Sequence, residues 1–287
     1  MMGWLQNYGR LVKFEHTLFA LPFALTGFFM ASRQPGADVS WKLFALVVLC
    51  MVFARNAAMG FNRWLDRHVD SINPRTAQRE IPAGAIPPAS ALAFVIINAL
   101  LFIVTTWFIN RLCFYLSPVA LFVVLFYSFT KRFTSLSHFF LSLGLAIAPL
   151  GAYLAVTARF DLPPLILSSI VFLWVSGFDI VYSLQDEEFD KEHRLNSLPV
   201  RLGKRKALRL SELIHLLTAL LVILLAVVLK GGGLHWAGVL WFTGLLLSQH
   251  LLVKPDDLRR VNMAFFTTNG LASVAYAVFL IADMFLR

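Results

Sequence analysis

Long apolar runs separated by short polar stretches dominate this chain. A run of about 17–25 residues crosses a hydrocarbon core as one helix, because a helix satisfies its own backbone polar groups where no water is present. Nine such runs are predicted, at 17–32, 42–61, 90–109, 112–130, 136–157, 163–183, 208–229, 233–252 and 262–284. The first, behind Arg10 and Lys13 and followed by "MAS", has some look of a signal peptide. Glu15 and His16 abut it and nothing later looks secreted, so it is read as a membrane helix. The expectation is an all-α polytopic membrane protein, residues 1–287 forming one domain.

Two polar interruptions break the pattern by their length: 62–89 and 184–207. Asp66 and Asp70 open the first; Asp186 and Asp190 open the second, 120 residues later with four apolar runs between. An even number of crossings returns the chain to the same face. Each pair is followed by basic residues and then by a proline and a glycine, Pro82 and Gly84 in one loop, Pro199 and Gly203 in the other. This weak internal repeat suggests two related halves whose acidic loops face each other across a central cavity.

Composition agrees: 59% of the 287 residues are hydrophobic and 14% charged, against roughly 45–50% apolar usage in soluble domains, and mean hydropathy is +0.73. Basic residues gather on the cytoplasmic side of membrane proteins. With the N-terminus and the loops after runs 2, 4, 6 and 8 on one side, that side holds 18 Lys and Arg and the other six. The N-terminus and both acidic loops are therefore expected in the cytoplasm, and the C-terminus outside. The net charge of +9 is spread over loops of an embedded protein without a nucleic-acid motif. It points to anionic headgroups or a phosphorylated substrate rather than nucleic acid. Cys50 and Cys113 give neither a disulfide framework nor a metal spacing. The seven histidines lack zinc-ligand spacing, and only His193, three residues past Asp190, draws notice. No P-loop, G-x-S-x-G or strand-borne G-x-G-x-x-G is present.

A single D-x-x-x-D at a membrane boundary is most often a solvated helix end. Two copies on one side suggest four carboxylates sharing cations, and Mg²⁺ suits them, because it takes carboxylate oxygens, keeps waters and is completed by substrate phosphates. Asn62, one turn before Asp66, adds a neutral oxygen. Arg63, Arg67, Arg75, Arg79, Lys131 and Arg194 surround this centre as candidate diphosphate ligands, with Arg79 and Lys131 foremost; positive-inside anchoring is the plain alternative for Lys131. Tyr127 lies one helical turn before Lys131. Charges inside a span default to function. Arg55 shares a helical stripe with Asn62 and Asp66, and Asp179 one with Tyr182 and Asp186. Arg55 therefore either pairs with Asp179 or meets a carboxylate on a substrate.

These residues resemble the motifs of the UbiA-type intramembrane prenyltransferases. N-x-x-x-D-x-x-x-D is matched by Asn62, Asp66 and Asp70, after "RNAAMG"; D-x-x-Y-x-x-x-D-x-x-x-D by Asp179, Tyr182, Asp186 and Asp190; Y-x-x-x-K by Tyr127 and Lys131. The resemblance runs along essentially the whole chain. It implies nine transmembrane helices bundled around a central cavity capped by the two polar cytoplasmic loops, with the acidic motifs binding Mg²⁺ and a polyprenyl diphosphate whose tail runs toward lipid. Diphosphate ligands would include Arg67, Arg79, Lys131 and Arg194, and Asp179, Lys131 and Tyr127 would stand nearest the chemistry. Departures are Arg63 directly after Asn62, Glu80 after Arg79, and "EHT" where many members carry Asp-Lys-Pro or Asp-Arg-Pro. They touch no core metal ligand and bear on the acceptor.

The resemblance is nearest to members acting on aromatic carboxylic acids, where an Arg occupies the place of Arg55. It implies an enzyme of quinone biosynthesis in a bacterial inner membrane, with 4-hydroxybenzoate as acceptor and 1,4-dihydroxy-6-naphthoate as near-equal rival. "KFEHTLFALPFAL" and "YSLQDEEFD" favour the group associated with the naphthoate route to menaquinone over that of ubiquinone. A transporter is the reading from another class, but its charges would lie in broken helices near the midplane, and most acidic residues here sit at loop entrances. A CDP-alcohol phosphotransferase would need a D-G-x-x-A-R start that is missing.

Overall fold

The computed structural model describes residues 2–12 and 17–287; Lys13, Glu15 and His16, used above for the first helix, lie outside them. The described chain is all-α. In order, the helices are α1 (Met2–Leu11), α2 (Thr17–Ser32), α3 (Trp41–Leu65), α4 (Arg67–Ile72), α5 (Pro88–Trp107), α6 (Arg111–Thr130) and α7 (Ser137–Thr157). They continue with α8 (Leu162–Ser183), α9 (Glu187–Glu192), α10 (Leu198–Leu202), α11 (Lys204–Val228), α12 (Gly233–Leu252) and α13 (Asn269–Leu286). Among the described residues there is no strand, only an isolated bridge between Lys254 and Asp257.

Every expected apolar run forms a helix, and among the described residues seven helices are long and apolar enough to cross a membrane: α3, α5, α6, α7, α8 with its continuation, α11, and Met263–Leu286. These fit an integral membrane protein. The two expected crossings outside this set are α2, described over Thr17–Ser32, and α12, which carries His235, Gln249 and His250.

Two compact units divide the chain. One comprises Met1–Thr17 and Ser40–Phe129, the other Leu18–Val39 and Thr130–Arg287. In the first, α3 packs along α5. Their approach is close because Gly60 faces Val95 and Phe94, where an added Cβ would come within 3.0 Å of the valine. The Asn56 amide donates to Asn98 Oδ1 at 3.0 Å across the same contact. The 62–89 loop does not float: Ile81 and Ile86 are buried with Leu11 and Ala91, against Tyr8, Trp64 and Phe94. Four apolar side chains thus draw a polar loop back onto its own helices.

In the second unit α8 is the central element, packed by α7 on one side and α11 on another. Its sequence is apolar all round, the pattern of a helix enclosed by protein, and Leu167, Ile170, Val171, Trp174 and Val175 are fully buried. Lipid tails are as apolar as leucine, so packing and hydrogen bonds rather than water exclusion hold such a helix. Gly177 admits the ring of His215, which a Cβ there would approach to 2.3 Å, and Ser211 Oγ donates to the Gly177 carbonyl at 2.8 Å. On the other side of α11, Leu213, Leu216, Leu217, Leu220 and Leu224 are exposed at helical spacing. The π-helical stretch Met263–Thr268 frees backbone carbonyls, and the Asn269 amide donates to those of Ala264 and Phe265 at 3.3 and 3.0 Å. Asn269 Oδ1 in turn accepts from Trp174 Nε1 at 3.0 Å and Gln249 Nε2 at 2.6 Å.

Candidate active site

The first acidic segment does not continue as one helix, as its four-residue spacing suggested. α3 ends at Leu65, Asp66 adopts φ −89°, ψ 6°, and α4 restarts at Arg67. The hydrogen-bond ladder nevertheless survives the break, with Asp66 N donating to Asn62 O at 3.0 Å and Asp70 N to Asp66 O at 2.8 Å. Asn62, Asp66 and Asp70 therefore keep the one-turn spacing that their sequence implies. The Asn62 amide donates to Asp66 Oδ2 at 3.1 Å. Asp70 is buried and its Oδ1 accepts from Arg79 Nη1 at 2.6 Å. Arg79 reaches it because the chain doubles back through tight turns: Thr76 N and Ala77 N donate to Asn73 O, Arg79 N donates to Thr76 O, and Thr76 Oγ1 donates to Asp70 O.

The second segment repeats the break. After α8 comes a single 3₁₀ turn, Leu184–Asp186, then α9; Asp186 adopts φ −97°, ψ 0°, nearly the values of Asp66. Asp186 and Asp190 are both buried. Here the cation comes from elsewhere: Lys131 Nζ lies 3.4 Å from Asp190 Oδ2. The loop after α9 is fastened to Lys131 through its backbone, with Asn196 N and Asn196 Nδ2 donating to Lys131 O at 2.9 and 3.3 Å. Glu187 and Glu188, between the two aspartates, face Lys204 at 3.8 and 3.7 Å.

The remaining expected site residues scatter in role. Arg67 turns back on its own helix end, donating from Nη1 to Trp64 O at 2.7 Å with its guanidinium 5.0 Å from the centre of the Trp64 ring. Arg194 is exposed and holds φ +54°, the left-handed conformation just past α9. Tyr127 lies in the last turn of α6, directly before Lys131. Arg55 is half-buried in α3 and donates from Nη2 to Val12 O at 3.0 Å. Arg63, which the spacing also suggested, is buried within electrostatic reach of Asp70 and Arg79, and its Nε has no hydrogen-bond partner.

Asp179 brings in a residue that the sequence did not single out. Its Oδ2 lies 2.6 Å from Nδ1 of His138, at the start of α7. No local spacing signals this pair, which spans 41 positions. His193, the histidine that did draw notice, is exposed, stacks on Phe189 at 4.1 Å and caps α9 through the Phe189 carbonyl.

The resemblance implies Mg²⁺. Among the described residues no three His, Cys, Asp or Glu side chains converge as a ready metal cage. The donor chemistry still fits a metal held largely by substrate and water. Asn62, Asp66 and Asp70 in the first unit, and Asp186 and Asp190 in the second, offer hard oxygens. One of them, Asp70 Oδ2, is buried without a hydrogen-bond partner, an arrangement that carries a cost unless a cation completes it.

Comparison with known proteins gives these features a context. Residues 20–271 match the model of the UbiA prenyltransferase family. A 4-hydroxybenzoate octaprenyltransferase from Aliivibrio fischeri (strain MJ11) is 28% identical over 268 residues, covering 93% of this chain and 90% of that protein. A protoheme IX farnesyltransferase from Pseudomonas putida (strain W619) is 30% identical over 242 residues, covering 83% and 78% respectively. Among solved structures, a UbiA homologue from Aeropyrum pernix K1 superposes with a TM-score of 0.80 at 26% identity, covering 95% of this chain and 98% of that one. A UbiA homologue from Archaeoglobus fulgidus bound to GPP and Mg²⁺ shares the fold with a TM-score of 0.73 at 20% identity, over 97% and 99% of the two chains. With most of its length matched by the family model, its breaks at Asp66 and Asp186 and its helical architecture, this chain belongs to the UbiA prenyltransferase family.

Proposed function

We propose that this protein transfers a polyprenyl group from an allylic diphosphate to the ring of an aromatic carboxylic acid, 4-hydroxybenzoate, with Mg²⁺ as cofactor, in quinone biosynthesis at a bacterial inner membrane. The observation that carries the reading is the duplicated helix break, each copy burying its second aspartate against a cation. Such an arrangement suits a diphosphate whose head is polar and whose tail belongs in lipid.

Asn62, Asp66, Asp70, Asp186 and Asp190 would hold the metal together with the diphosphate. Bound Mg²⁺ supplies charge neutralisation on the departing diphosphate. Arg79 and Lys131, already fixed by Asp70 and Asp190, supply hydrogen bonds to the same oxygens without moving at the moment of reaction. Arg67 and Arg194 add cationic surface, and Tyr127 adds a hydroxyl beside Lys131. The apolar bundle keeps water from the allylic cation. Arg55 faces the acceptor carboxylate as a charge-assisted donor, and Asp179 takes the ring proton. Two relatives bear on the acceptor: one is named for 4-hydroxybenzoate and one for protoheme IX. A carboxylate-binding role for Arg55 would suit the first, whose ring carries that group directly. It supports 1,4-dihydroxy-6-naphthoate equally, since that acid offers the same group.

The test is an assay in membranes with Mg²⁺ and one labelled allylic diphosphate, offering 4-hydroxybenzoate, 1,4-dihydroxy-6-naphthoate and haem together and separating products by mass. A prenylated 4-hydroxybenzoate, lost on chelation of Mg²⁺, is the expected result; a product from haem alone would refute the aromatic-acid reading. Arg55→Ala is expected to raise the acceptor KM roughly tenfold or more, as loss of a charge-assisted hydrogen bond predicts, with little change in the diphosphate KM.

A further inference from the structure

His138 and Asp179 tie the first turn of α7 to the last two turns of α8, with Nδ1 and Oδ2 2.6 Å apart. Their exposures differ: the imidazole is 1% exposed and the carboxylate 19%. The backbone behind them is fixed, because Ser142 Oγ donates to His138 O at 2.6 Å and Ser176 Oγ lies 2.9 Å from Ser142 Oγ. His138 Nε2 is buried and has no hydrogen-bond partner. A histidine kept only for packing would satisfy both nitrogens or be replaced by an apolar ring, since an unpaired buried nitrogen is costly. Here one nitrogen is left unpaired while the other is directed at a carboxylate group that is itself partly exposed. Asp179 also precedes Tyr182 by three residues, which puts the two on one face of α8, and α8 runs directly into the 3₁₀ turn that carries Asp186.

We propose that His138 is a positioning residue for prenyl transfer, donating Nδ1–H to Asp179 Oδ2 so that Oδ1 is held toward the acceptor ring as proton acceptor. This rests on the function proposed above. In that step the bond from the allylic carbon to the diphosphate oxygen breaks, and its electron pair leaves with the diphosphate. Ring π electrons form the new carbon–carbon bond, the ring C–H proton passes to Asp179 Oδ1, and the pair it leaves behind restores aromaticity. The imidazole keeps its Nδ1 proton throughout and fixes the carboxylate's rotation, the part an orienting partner plays beside a general base.

The test uses the full-length protein in nanodiscs with Mg²⁺ and geranyl diphosphate. The acceptors are 4-hydroxybenzoate and 1,4-dihydroxy-6-naphthoate, each unlabelled or deuterated at the prenylated ring position. His138→Leu is expected to lower kcat by about 10–100-fold, to leave both KM values near wild type, and to raise the primary isotope effect, because deprotonation becomes slower. His138→Asn, whose amide reaches the Nδ1 position, is expected to recover most of kcat and the wild-type isotope effect. Wild-type kcat in His138→Leu, or a slowed variant with an unchanged isotope effect and no rescue by Asn, overturns the proposal. Should the leucine variant fail to fold, His138→Asn against His138→Gln decides: Asn retaining more activity than Gln supports the role, and equal or reversed activities overturn it. Absence of transfer by the wild type to either acid, by contrast, overturns the functional reading and this proposal with it.

Discussion

The two acidic segments share one backbone device and differ in how they neutralise it. Asp66 and Asp186 break their helices at nearly the same φ and ψ, and four residues later Asp70 and Asp190 are buried against a cation. For Asp70 the cation is Arg79, nine residues on in the same loop, at 2.6 Å and 23% exposed. For Asp190 it is Lys131, 59 residues earlier, at 3.4 Å and 38% exposed. The first segment closes its own ion pair through local turns, whereas the second depends on α7 and α8 packing correctly and on Asn196 fastening the loop to Lys131. A duplicated motif thus has one copy that is locally complete and one that is complete only after tertiary assembly.

The largest expected effect ignores this difference. Asp70→Ala and Asp190→Ala should each lower kcat by about 10²–10³-fold or more, as loss of preorganised charge at a reacting phosphate predicts; full turnover by either, measured with purified protein, would remove that segment from the site. The next effect should expose the asymmetry. Arg79→Ala leaves Asp70 buried and unpaired and should cost on the order of 2–3 kcal/mol, a buried-pair loss reduced for partial exposure. Lys131→Ala, with a longer contact and a more exposed lysine, should cost about 1 kcal/mol or less. Thermal unfolding in detergent measures both, and equal shifts in Tm would erase the distinction between the segments.

Smaller again, Asn196→Ala removes one of the two hydrogen bonds to the Lys131 carbonyl, worth about 1 kcal/mol. It should raise the diphosphate KM several-fold while leaving Arg79 in place. An unchanged KM would mean that the backbone hydrogen bond alone holds Lys131. Last, Arg194→Gly relieves a non-glycine residue at φ +54° and should stabilise the fold by at most about 1 kcal/mol. If Arg194 binds diphosphate, the same variant raises that KM, so stability and affinity move in opposite directions.

Much of this was legible beforehand because helices are local. The apolar runs fell on helices whose described ends agree within a few residues; 233–252 matches α12 end to end. Among the described residues seven of these helices are long and apolar enough to cross a membrane, since forming a helix requires less length and apolarity than spanning a bilayer. The acidic spacing was also legible, as i to i+4 separation survives a helix break when the backbone hydrogen bonds persist. Less legible were the assignments of charge. Arg79 and Lys131 were expected as diphosphate ligands, without the aspartates they bind; Arg67 was expected as another, without its hydrogen bond to the Trp64 carbonyl; and His193 was noticed where His138 bonds the in-span Asp179.

The sequence by itself determined the helices, the duplicated acidic motif and the spacing of its ligands, because each rests on periods of a few residues along one chain. Only the tertiary structure decided which cation meets Asp190 and which imidazole meets Asp179. Those partners lie 59 and 41 residues away, and a contact at such separation is set by how α7 packs against α8, which no local period encodes.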